Sequence, residues 1–360
     1  MGTEARPGAE PRPFGRVAII GAGAWGTALA LTAHRAGRAV SLWARETSVV
    51  EAVARDRRNP FLPAAVDLPA AILVSNELDA AVSGADLVLM VTPSQHLRRM
   101  LRAVAPLLAP DVPVVICAKG VEGDSGALMS DVGAAEMPGR PLAVLSGPTF
   151  AAEVAVDLPT AVTVAARGDH GFGPEHLAAR VAVTFATRHF RPYLSDDLVG
   201  VEIGGAVKNV IAIACGIAAG RGLGSNARAA LITRGLAELT RLGVAVGARP
   251  ETLGGLAGVG DLVLTCSSEQ SRNFSFGKSL GEGQRRALTD DGPVVEGAVN
   301  AASVVALARK LGIAMPICSG VEAILNGAAV DDVMAALMTG DLKPEALTAE
   351  AQFHIPHPAL

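Results

Sequence analysis

The sequence has no apolar run of about 18 residues, no excess of basic residues and no closely spaced pair of cysteines. Without such a run we expect no transmembrane helix, and the polar, proline-rich N-terminus lacks the apolar centre of a secretory signal. A formal net charge of −4 argues against a nucleic-acid-binding protein, which would show a basic face. The four cysteines lie far apart in apolar surroundings, which favours buried thiols over disulfides or a metal site. We therefore predict a cytoplasmic protein.

A chain of 360 residues exceeds one ordinary domain, and its sequence patterns divide it in two. Residues 14–194 alternate short β-branched runs with helical periods, which is typical of a Rossmann-like, doubly wound parallel sheet. Residues 195–345 show helical periods alone. The predicted fold is an α/β N-terminal domain followed by an all-α C-terminal domain, with a flexible leader at 1–13 and a loose tail at 346–360. The runs interpreted as strands are 16–20, 40–44, 86–91, 113–118, 142–146 and 160–166, with a further edge strand around 185–190.

The first predicted strand leads directly into the sequence GAGAWG, in which Gly21, Gly23 and Gly26 form a GxGxxG motif. Between a strand and a helix, the first glycine permits a tight turn and the second lets a pyrophosphate lie against the backbone. The third lets the helix pack closely on the strand, and the helix N-terminus then faces the anion. An isolated GxGxxG also arises by chance in a glycine-rich chain, but in this setting it predicts a dinucleotide site.

The residue near the end of the second strand distinguishes NAD from NADP. An acidic residue there accepts hydrogen bonds from the ribose hydroxyls of NAD. This chain has Arg45, whose guanidinium can stack on adenine or hold a 2′-phosphate, although Glu46 beside it can still serve NAD. The predicted cofactor is therefore NAD or NADP, with NADP favoured.

A single cation, Lys208, stands in the apolar half of the helical stretch VEIGGAVKNVIAIACG. Gly204 and Gly205 precede it on the same helical face and leave room for a close approach. Glu202 falls on another face and does not neutralise the ammonium. Lys208 is therefore either a lysine reaching out of a buried helix or a functional group in a cleft.

Three loops follow predicted strands, at the edge where open α/β sheets bind ligands. VTPSQ can border the cofactor, CAKGVE carries Lys119, and LSGPTFAAE carries Gly147 and Thr149. Each of these loops also has an ordinary interpretation as a turn, a helix cap or a surface lysine.

Three further motifs lie in the helical part. Asp261 and Thr265 are four residues apart, which places them on one face if the segment is helical. Arg272 in the sequence SRN suits a phosphate clamp, and Glu296 in VVEG is an acidic residue early in a helix. A solvated helix start explains SRN equally well when it is taken alone.

Together, GAGAWG, CAKGVE, LSGPTFAAE, VEIGGAVKNVIAIACG, GVGDLVLTC, SRN and VVEG resemble, in this order and spacing, the NAD(P)-dependent glycerol-3-phosphate dehydrogenase family of bacteria. The similarity extends from about residue 16 to about residue 340. The resemblance implies reversible hydride transfer between NAD(P)H and dihydroxyacetone phosphate, giving sn-glycerol 3-phosphate for phospholipid synthesis.

The resemblance also implies roles for individual residues, with Lys208 as the proton donor or acceptor and no metal. The other residues implied as catalytic are Lys119, Asp261 and Thr265. The implied cofactor contacts are Gly21, Gly23, Ala24, Trp25, Gly26, Arg45, Lys119, Ala151, Arg272, Val294 and Glu296. The implied substrate contacts are Lys119, Gly147, Thr149, Lys208, Asp261, Ser271, Arg272 and Asn273. Thr149 replaces the serine of many relatives but keeps the hydroxyl, whereas Ala24 removes a hydroxyl that some relatives offer to the pyrophosphate.

Two other functions stay open. A dehydrogenase of another hydroxy acid or sugar acid would share the two-domain plan, and a regulator could bind NAD(P)H without chemistry. A regulator has no need of Lys208, Asp261 and Arg272, and this argues against it. The direction of the pKa shift of Lys208 is also open, because burial and Lys119 would lower that pKa while Asp261 would raise it. The expected partner is a small-molecule substrate, without nucleic acid or membrane insertion, and the exposed faces of the helical domain can pair as a homodimer.

Overall fold

The computed structural model describes residues 10–123, 125–167, 172–173, 175–284 and 295–338. The predicted tail at 346–360 lies outside these ranges, as do most of the predicted leader at 1–13 and the last residues of the predicted second domain.

In the described residues of the N-terminal part, eight strands form a single sheet. They are β1 (Arg16–Ile20), β2 (Ala39–Trp43), β3 (Ile72–Ser75), β4 (Leu87–Met90), β5 (Val114–Ile116), β6 (Leu142–Ser146), β7 (Thr160–Ala166) and β8 (Phe190–Ser195). Their order across the sheet is β3-β2-β1-β4-β5-β6-β7-β8, and β1 to β6 are parallel. The winding reverses between β1 and β4, the position at which doubly wound sheets bind ligands. The predicted fold class is thus confirmed.

The far edge of the sheet differs from the expected parallel arrangement. β7 pairs antiparallel with β6, and β8 runs parallel to β7, so both run against the other strands. The connection from β6 to β7 contains only a five-residue helix, Ala151–Ala155. Such a helix is about 8 Å long, too short to return the chain along the length of β6. The expected edge strand at 185–190 was also misplaced, because Phe185 ends a helix and the strand begins at Phe190.

Among the described residues, seven α-helices accompany the sheet: α1 (Ala24–Arg35), α2 (Thr47–Asp56), α3 (Leu78–Val82), α4 (Ser94–Val104), α5 (Met129–Glu136), α6 (Ala151–Ala155) and α7 (Leu177–Phe185). Successive residues of the central strands contribute to different cores, as side chains in a strand alternate between faces. Ile19 packs in one core with Leu29 of α1, and Ile20 packs in the other with Leu97 of α4. The sheet is therefore covered on both faces, which leaves its strand ends as the place for ligands.

The C-terminal part is helical and is built around one long helix. The helices are α8 (Leu198–Gly220), α9 (Gly224–Ala245), α10 (Pro250–Leu253), α11 (Asp261–Ser267), α12 (Arg272–Gly281), α13 (Glu296–Lys310), α14 (Pro316–Leu325) and α15 (Val330–Met338). A single π-helical turn, Leu256–Gly260, leads into α11. Helices α9, α11, α12, α13 and α14 all pack on α8, which is apolar on all sides and therefore buried.

The central helix α8 is long and apolar enough to cross a membrane by length and composition. It has 23 residues and a mean hydropathy of 1.7 over its most apolar window. In the sequence, Glu202 and Lys208 divide this helix into shorter apolar runs, so no uninterrupted apolar run of about 18 residues appears. Of that window, 94% is buried within the protein, as in the core helix of a globular domain.

Candidate active site

In the glycine loop at the end of β1, two glycines are required by close packing and the third borders open space. Gly21 has φ +122°, and a Cβ there would lie 2.5 Å from the carbonyl oxygen of Val91. A Cβ on Gly26 would lie 1.8 Å from the carbonyl oxygen of Gly21, so only glycine lets α1 approach β1 this closely. A Cβ on Gly23 would meet no atom within 4 Å. Open space therefore lies beside Gly23, at the N-terminus of α1, and Ala24 and Trp25 form its first turn.

A buried asparagine outside the predicted site residues holds this loop in place. Asn59 donates from Nδ2 to the carbonyl oxygen of Ala22 at 2.9 Å and to Thr27 Oγ1 at 2.7 Å. Its own Oδ1 accepts from the backbone N–H of Phe61 at 2.9 Å. An isolated asparagine 37 residues from its partner leaves no pattern in the sequence, so only the fold shows this role.

Two buried hydroxyls at strand ends lack hydrogen-bond partners among the residues that the structure describes. They are Thr92 Oγ1, two residues after β4, and Ser146 Oγ, at the end of β6. Buried polar groups are normally hydrogen-bonded, and the exceptions call for an explanation. Both hydroxyls lie at the carboxyl ends of parallel strands, on the same edge as the glycine loop, so the residues present fit a ligand with polar groups such as NAD(P).

Arg45 lies two residues beyond the end of β2 rather than at the strand end. Its Nε donates to Glu46 Oε1 at 2.7 Å, and 63% of its side chain is exposed. Nearby on α4, burial lowers the pKa of His96, and the cations of Arg99 and Arg45 lower it further. Arg45 and Arg99 therefore both lie near His96, and although Glu46 pairs with Arg45, two cations in this region favour an anionic ligand group.

The two lysines singled out in the sequence share one carboxylate. Lys208 donates from Nζ to Asp261 Oδ1 at 2.5 Å and to Thr265 Oγ1 at 2.8 Å. Lys119 donates from Nζ to Asp261 Oδ2 at 2.7 Å and to the carbonyl oxygen of Gly147 at 3.3 Å. Asp261 is fully buried. The structure thus brings these five residues together, from loops of the sheet and two helices of the C-terminal part.

The space beside the two glycines before Lys208 is occupied by other segments of the protein. A Cβ on Gly204 would lie 2.3 Å from the carbonyl oxygen of Ala257, in the π-helical turn that leads to Asp261. A Cβ on Gly205 would lie 3.1 Å from the side-chain carbons of Lys119. The close approach predicted from the two glycines therefore brings Asp261 and Lys119 to Lys208.

The structure also gives the direction of the pKa shift that the sequence left open. Burial lowers the pKa of Lys208 to about 8, with Lys119 adding to this effect and Asp261 opposing it. Burial alone would raise the pKa of Asp261, but Lys119 and Lys208 together hold it below its usual value. The carboxylate therefore stays ionised, while Lys208 can exchange a proton near neutral pH.

The residues of the SRN motif lie at the N-terminus of α12. Ser271 caps this helix, because its Oγ accepts from the backbone N–H of Phe274 at 3.2 Å. Arg272 follows as an exposed first helical residue, and no described residue forms a hydrogen bond or an ion pair with its guanidinium. An uncommitted arginine at a helix N-terminus is suited to an anion such as a phosphate.

A chain of amide hydrogen bonds joins this motif to the start of α13. Asn273 donates to Asn209 Oδ1 at 2.9 Å and accepts from the backbone N–H of Gly297 at 2.8 Å. Asn209 in turn donates to Glu296 Oε2 at 3.1 Å. Asn209 follows Lys208 directly, but nothing in its sequence position showed that it links two helix N-termini.

Three further predicted contacts, Gly147, Thr149 and Ala151, lie in and just after the loop that follows β6. Gly147 has φ +149°, and a Cβ there would lie 2.9 Å from the Cα of Val162. Thr149 donates from Oγ1 to the Gly147 carbonyl oxygen at 3.4 Å, and Ala151 begins α6. Val294 lies outside the described residues.

The N-terminal part is a doubly wound sheet with an open glycine loop. The helices of the C-terminal part bring Lys208, paired with Asp261, to the strand ends of this sheet. Together these features define a two-domain NAD(P)-dependent oxidoreductase. Residues 16–171 match the N-terminal part, and residues 197–335 the C-terminal part, of NAD-dependent glycerol-3-phosphate dehydrogenase. The chain belongs to the NAD-dependent glycerol-3-phosphate dehydrogenase family.

Individual relatives agree with this assignment. The chain is 54% identical over 337 residues to the glycerol-3-phosphate dehydrogenase (NAD(P)+) of Caulobacter vibrioides, covering 92% of this chain and 99% of the relative. It is 52% identical over 342 residues to that of Rhodospirillum rubrum, covering 94% and 96%. The crystal structure of glycerol-3-phosphate dehydrogenase from Coxiella burnetii has a TM-score of 0.85 and 39% identity, covering 90% of this chain and 98% of that one. The predicted family, the NAD(P) cofactor and an oxidoreductase acting on a CH–OH group are thus confirmed.

Proposed function

We propose that Lys208 exchanges the proton when this NAD(P)-dependent oxidoreductase interconverts dihydroxyacetone phosphate and sn-glycerol 3-phosphate. The observation that carries the proposal is the buried contact of 2.5 Å between Lys208 Nζ and the ionised Asp261. An ammonium has three protons to donate, and Asp261 and Thr265 accept two of them. The third is available to a substrate oxygen.

The direction of proton transfer follows from the pKa of Lys208. In the reducing direction the ketone carbon gains a hydride, which bound NAD(P)H supplies, and the oxygen needs a proton. The Lys208 ammonium gives this proton, and its pKa of about 8 makes the loss easier than at an ordinary lysine. In the oxidising direction the neutral amine accepts the proton of the hydroxyl group. Asp261 stabilises the charged form between the two steps.

Lys119 has a different part in this proposal. Its ammonium is committed to Asp261 Oδ2 and to the carbonyl oxygen of Gly147. A fixed cation beside the reacting oxygen stabilises negative charge as it develops there. Lys119 also adds to the lowering of the pKa of Lys208.

We assign the substrate phosphate to the N-terminus of α12. Arg272 offers a planar pair of donors, and Ser271 and Asn273 flank it. Binding the phosphate at this remote point would fix the carbonyl group relative to Lys208, so that binding energy orients the reacting atoms. Gly147 and Thr149 would border the substrate on the sheet side.

For the cofactor, the open face of the glycine loop would hold the pyrophosphate at the N-terminus of α1. This assigns Gly21, Gly23, Ala24, Trp25 and Gly26 to the pyrophosphate end. Arg45 would contact the adenosine end and favour NADP over NAD. The further proposed cofactor contacts are Lys119, Ala151, Arg272, Val294 and Glu296.

The wider assignments are also proposals. We place the dinucleotide-binding domain at 14–194 and the substrate-binding domain at 195–345, consistent with β8 ending at Ser195 and α8 beginning at Leu198. We propose a cytoplasmic location and a homodimer formed through exposed faces of the helical domain.

The experiment that tests the function compares initial rates of NADPH and NADH oxidation. The ketones are dihydroxyacetone phosphate, dihydroxyacetone without the phosphate, and a 2-keto acid such as pyruvate. We expect turnover with dihydroxyacetone phosphate, a specificity constant lower by about 1,000-fold for the unphosphorylated ketone, and none with pyruvate. Faster turnover of the keto acid would refute the proposed substrate.

A further inference from the structure

A buried asparagine on α13 holds the backbone of the Lys119 loop. Asn300 is 2% exposed and donates from Nδ2 to the backbone carbonyl oxygen of Lys119 at 3.0 Å. Its Oδ1 accepts from Ser94 Oγ at 3.3 Å. Ser94 is the first residue of α4 and is also buried. One amide therefore joins a helix of the C-terminal part to the segments that follow β4 and β5.

Ser94 and Asn300 pack so closely against the loop that the residue after Lys119, Gly120, must be glycine. A Cβ on Gly120 would lie 2.5 Å from Ser94 Oγ and 2.9 Å from Asn300 Oδ1. No side chain fits there unless both partners move. The loop, Ser94 and Asn300 thus form one closely packed unit, which we call the Asn300 contact.

Lys119 is consequently held at both ends. Its backbone carbonyl oxygen accepts from Asn300 of α13, and its ammonium donates to Asp261 of α11 at 2.7 Å. A lysine side chain has four rotatable bonds, so fixing the backbone narrows the positions that the ammonium can occupy. Small errors in the placement of a catalytic group can lower a rate substantially.

We infer that Asn300 is a positioning residue, which acts through Lys119 to place its ammonium between Asp261 and the substrate. This inference rests on the proposed function of the Lys208–Asp261–Lys119 cluster. Asn300 itself touches no reacting atom in this proposal, and its effect on the reaction passes through the Lys119 backbone.

The inference predicts a specific change in the pH profile. Three charged groups act on Lys208 from the elements packed around it: Asp261, Lys119 and Glu296. Lys119 is one of the influences that lower the pKa of Lys208. If its ammonium moves away, the pKa of Lys208 rises, and the pH dependence of kcat shifts to higher pH.

The test replaces Asn300 with leucine, which has a similar volume but makes no hydrogen bonds. We expect Asn300→Leu to lower kcat/KM for dihydroxyacetone phosphate by about 30-fold, with the dissociation constant of NADPH within about twofold of wild type. Ser94→Ala leaves the hydrogen bond from Asn300 to the Lys119 carbonyl oxygen intact and should lower kcat/KM by about threefold. The matched control is Ser303→Ala on the same helix, because Ser303 Oγ donates only to the Asn300 carbonyl oxygen, at 3.1 Å. That control should leave kcat/KM unchanged.

A double-variant cycle decides whether Asn300 acts through Lys119. In a Lys119→Ala background, Asn300→Leu should lower kcat/KM by less than about twofold further. An equal loss in both backgrounds would overturn the inference, and so would wild-type kcat/KM in Asn300→Leu or an unshifted pH profile. If Asn300→Leu does not fold, Asn300→Ser, with a shorter donor, takes its place under the same criteria. Absence of dihydroxyacetone phosphate reduction by the wild-type protein would count against the proposed function instead.

Discussion

Lys208 Nζ lies 2.5 Å from Asp261 Oδ1, and this contact joins the central helix α8 to the first residue of α11. The pair is buried, yet its charge is not balanced one to one, because Lys119 shares the same carboxylate. The cluster therefore has one more positive than negative charge where an anionic substrate is proposed to bind. That excess favours both the phosphate and the developing alkoxide.

Replacing the shared carboxylate should impair the reaction and move its pH dependence. Asp261→Asn keeps the shape but removes the charge that raises the pKa of Lys208, so this pKa falls below about 8. We expect kcat/KM for dihydroxyacetone phosphate to fall by at least about 100-fold and the pH profile of kcat to shift to lower pH. The control is Asp331→Asn, whose carboxylate is mostly exposed and pairs with Arg221. A profile shifted to higher pH would contradict the arrangement described.

A buried glutamate on α8 should make stability depend on pH. Glu202 accepts from the backbone N–H and the Oγ of Ser130, both at 2.6 Å, and burial raises its pKa to about 7. The folded state then binds more protons than the unfolded state between pH 4.5 and about 7. The contribution of Glu202 to stability is therefore present below about pH 4.5 and is lost as pH rises to about 7.

Glu202→Gln tests this linkage, because glutamine can keep both contacts with Ser130 but does not titrate. The quantity to compare is the free energy of unfolding of the variant minus that of wild type. This difference should be more positive at pH 8 than at pH 5, by up to about 3 kcal/mol. Urea unfolding of both proteins across this pH range gives the difference. The contributions of the other titrating groups are the same in both proteins and are removed by the subtraction. A difference that does not vary with pH would mean that Glu202 is already ionised at pH 5.

The two glycines before Lys208 should differ in their response to alanine. At Gly204 the added Cβ meets the backbone of Ala257, which belongs to a packed turn and has little freedom to move. At Gly205 it meets the flexible side chain of Lys119 at 3.1 Å. We expect Gly204→Ala to lower the free energy of unfolding by about 3 kcal/mol and Gly205→Ala by less than about 1 kcal/mol. Chemical denaturation measures both, and equal losses would contradict the packing described.

Coenzyme preference should respond to Arg45. Arg45→Gln removes the cation proposed to hold the 2′-phosphate, so the ratio of kcat/KM for NADPH to that for NADH should fall by about tenfold. Arg55→Gln is a matched control, because Arg55 is similarly exposed and also pairs with the acidic residue that follows it. If the ratio falls equally in both variants, the effect comes from general electrostatic attraction and not from a contact of Arg45 with the cofactor.

Much of the sheet could be predicted from the sequence, because buried strands are continuous β-branched runs. The strands at 16–20, 142–146 and 160–166 have the predicted bounds. β3 was not predicted, because it has only four residues and lies at the edge of the sheet, where Leu73 is 68% exposed. The residues of β7 do not record its reversed direction, which only the short connection from β6 indicates.

The lysines, Asp261 and the SRN motif were selected from the sequence because charged residues in apolar or strand-end settings stand out. The supporting amides were not selected. Asn59, Asn209 and Asn300 are single asparagines whose partners lie far along the chain, 181 residues away in the case of Asn300 and Lys119. Only the folded chain brings such pairs together, and a single sequence holds no signal for them.

The central claim is that Lys208 exchanges the proton and is not needed to bind the cofactor. The most direct measurement determines kcat for Lys208→Ala with saturating dihydroxyacetone phosphate and NADPH, together with the dissociation constant of NADPH from its fluorescence. We predict that kcat falls by at least about 1,000-fold while the dissociation constant changes by less than about threefold. A kcat within about tenfold of wild type, with NADPH still bound, would contradict the claim.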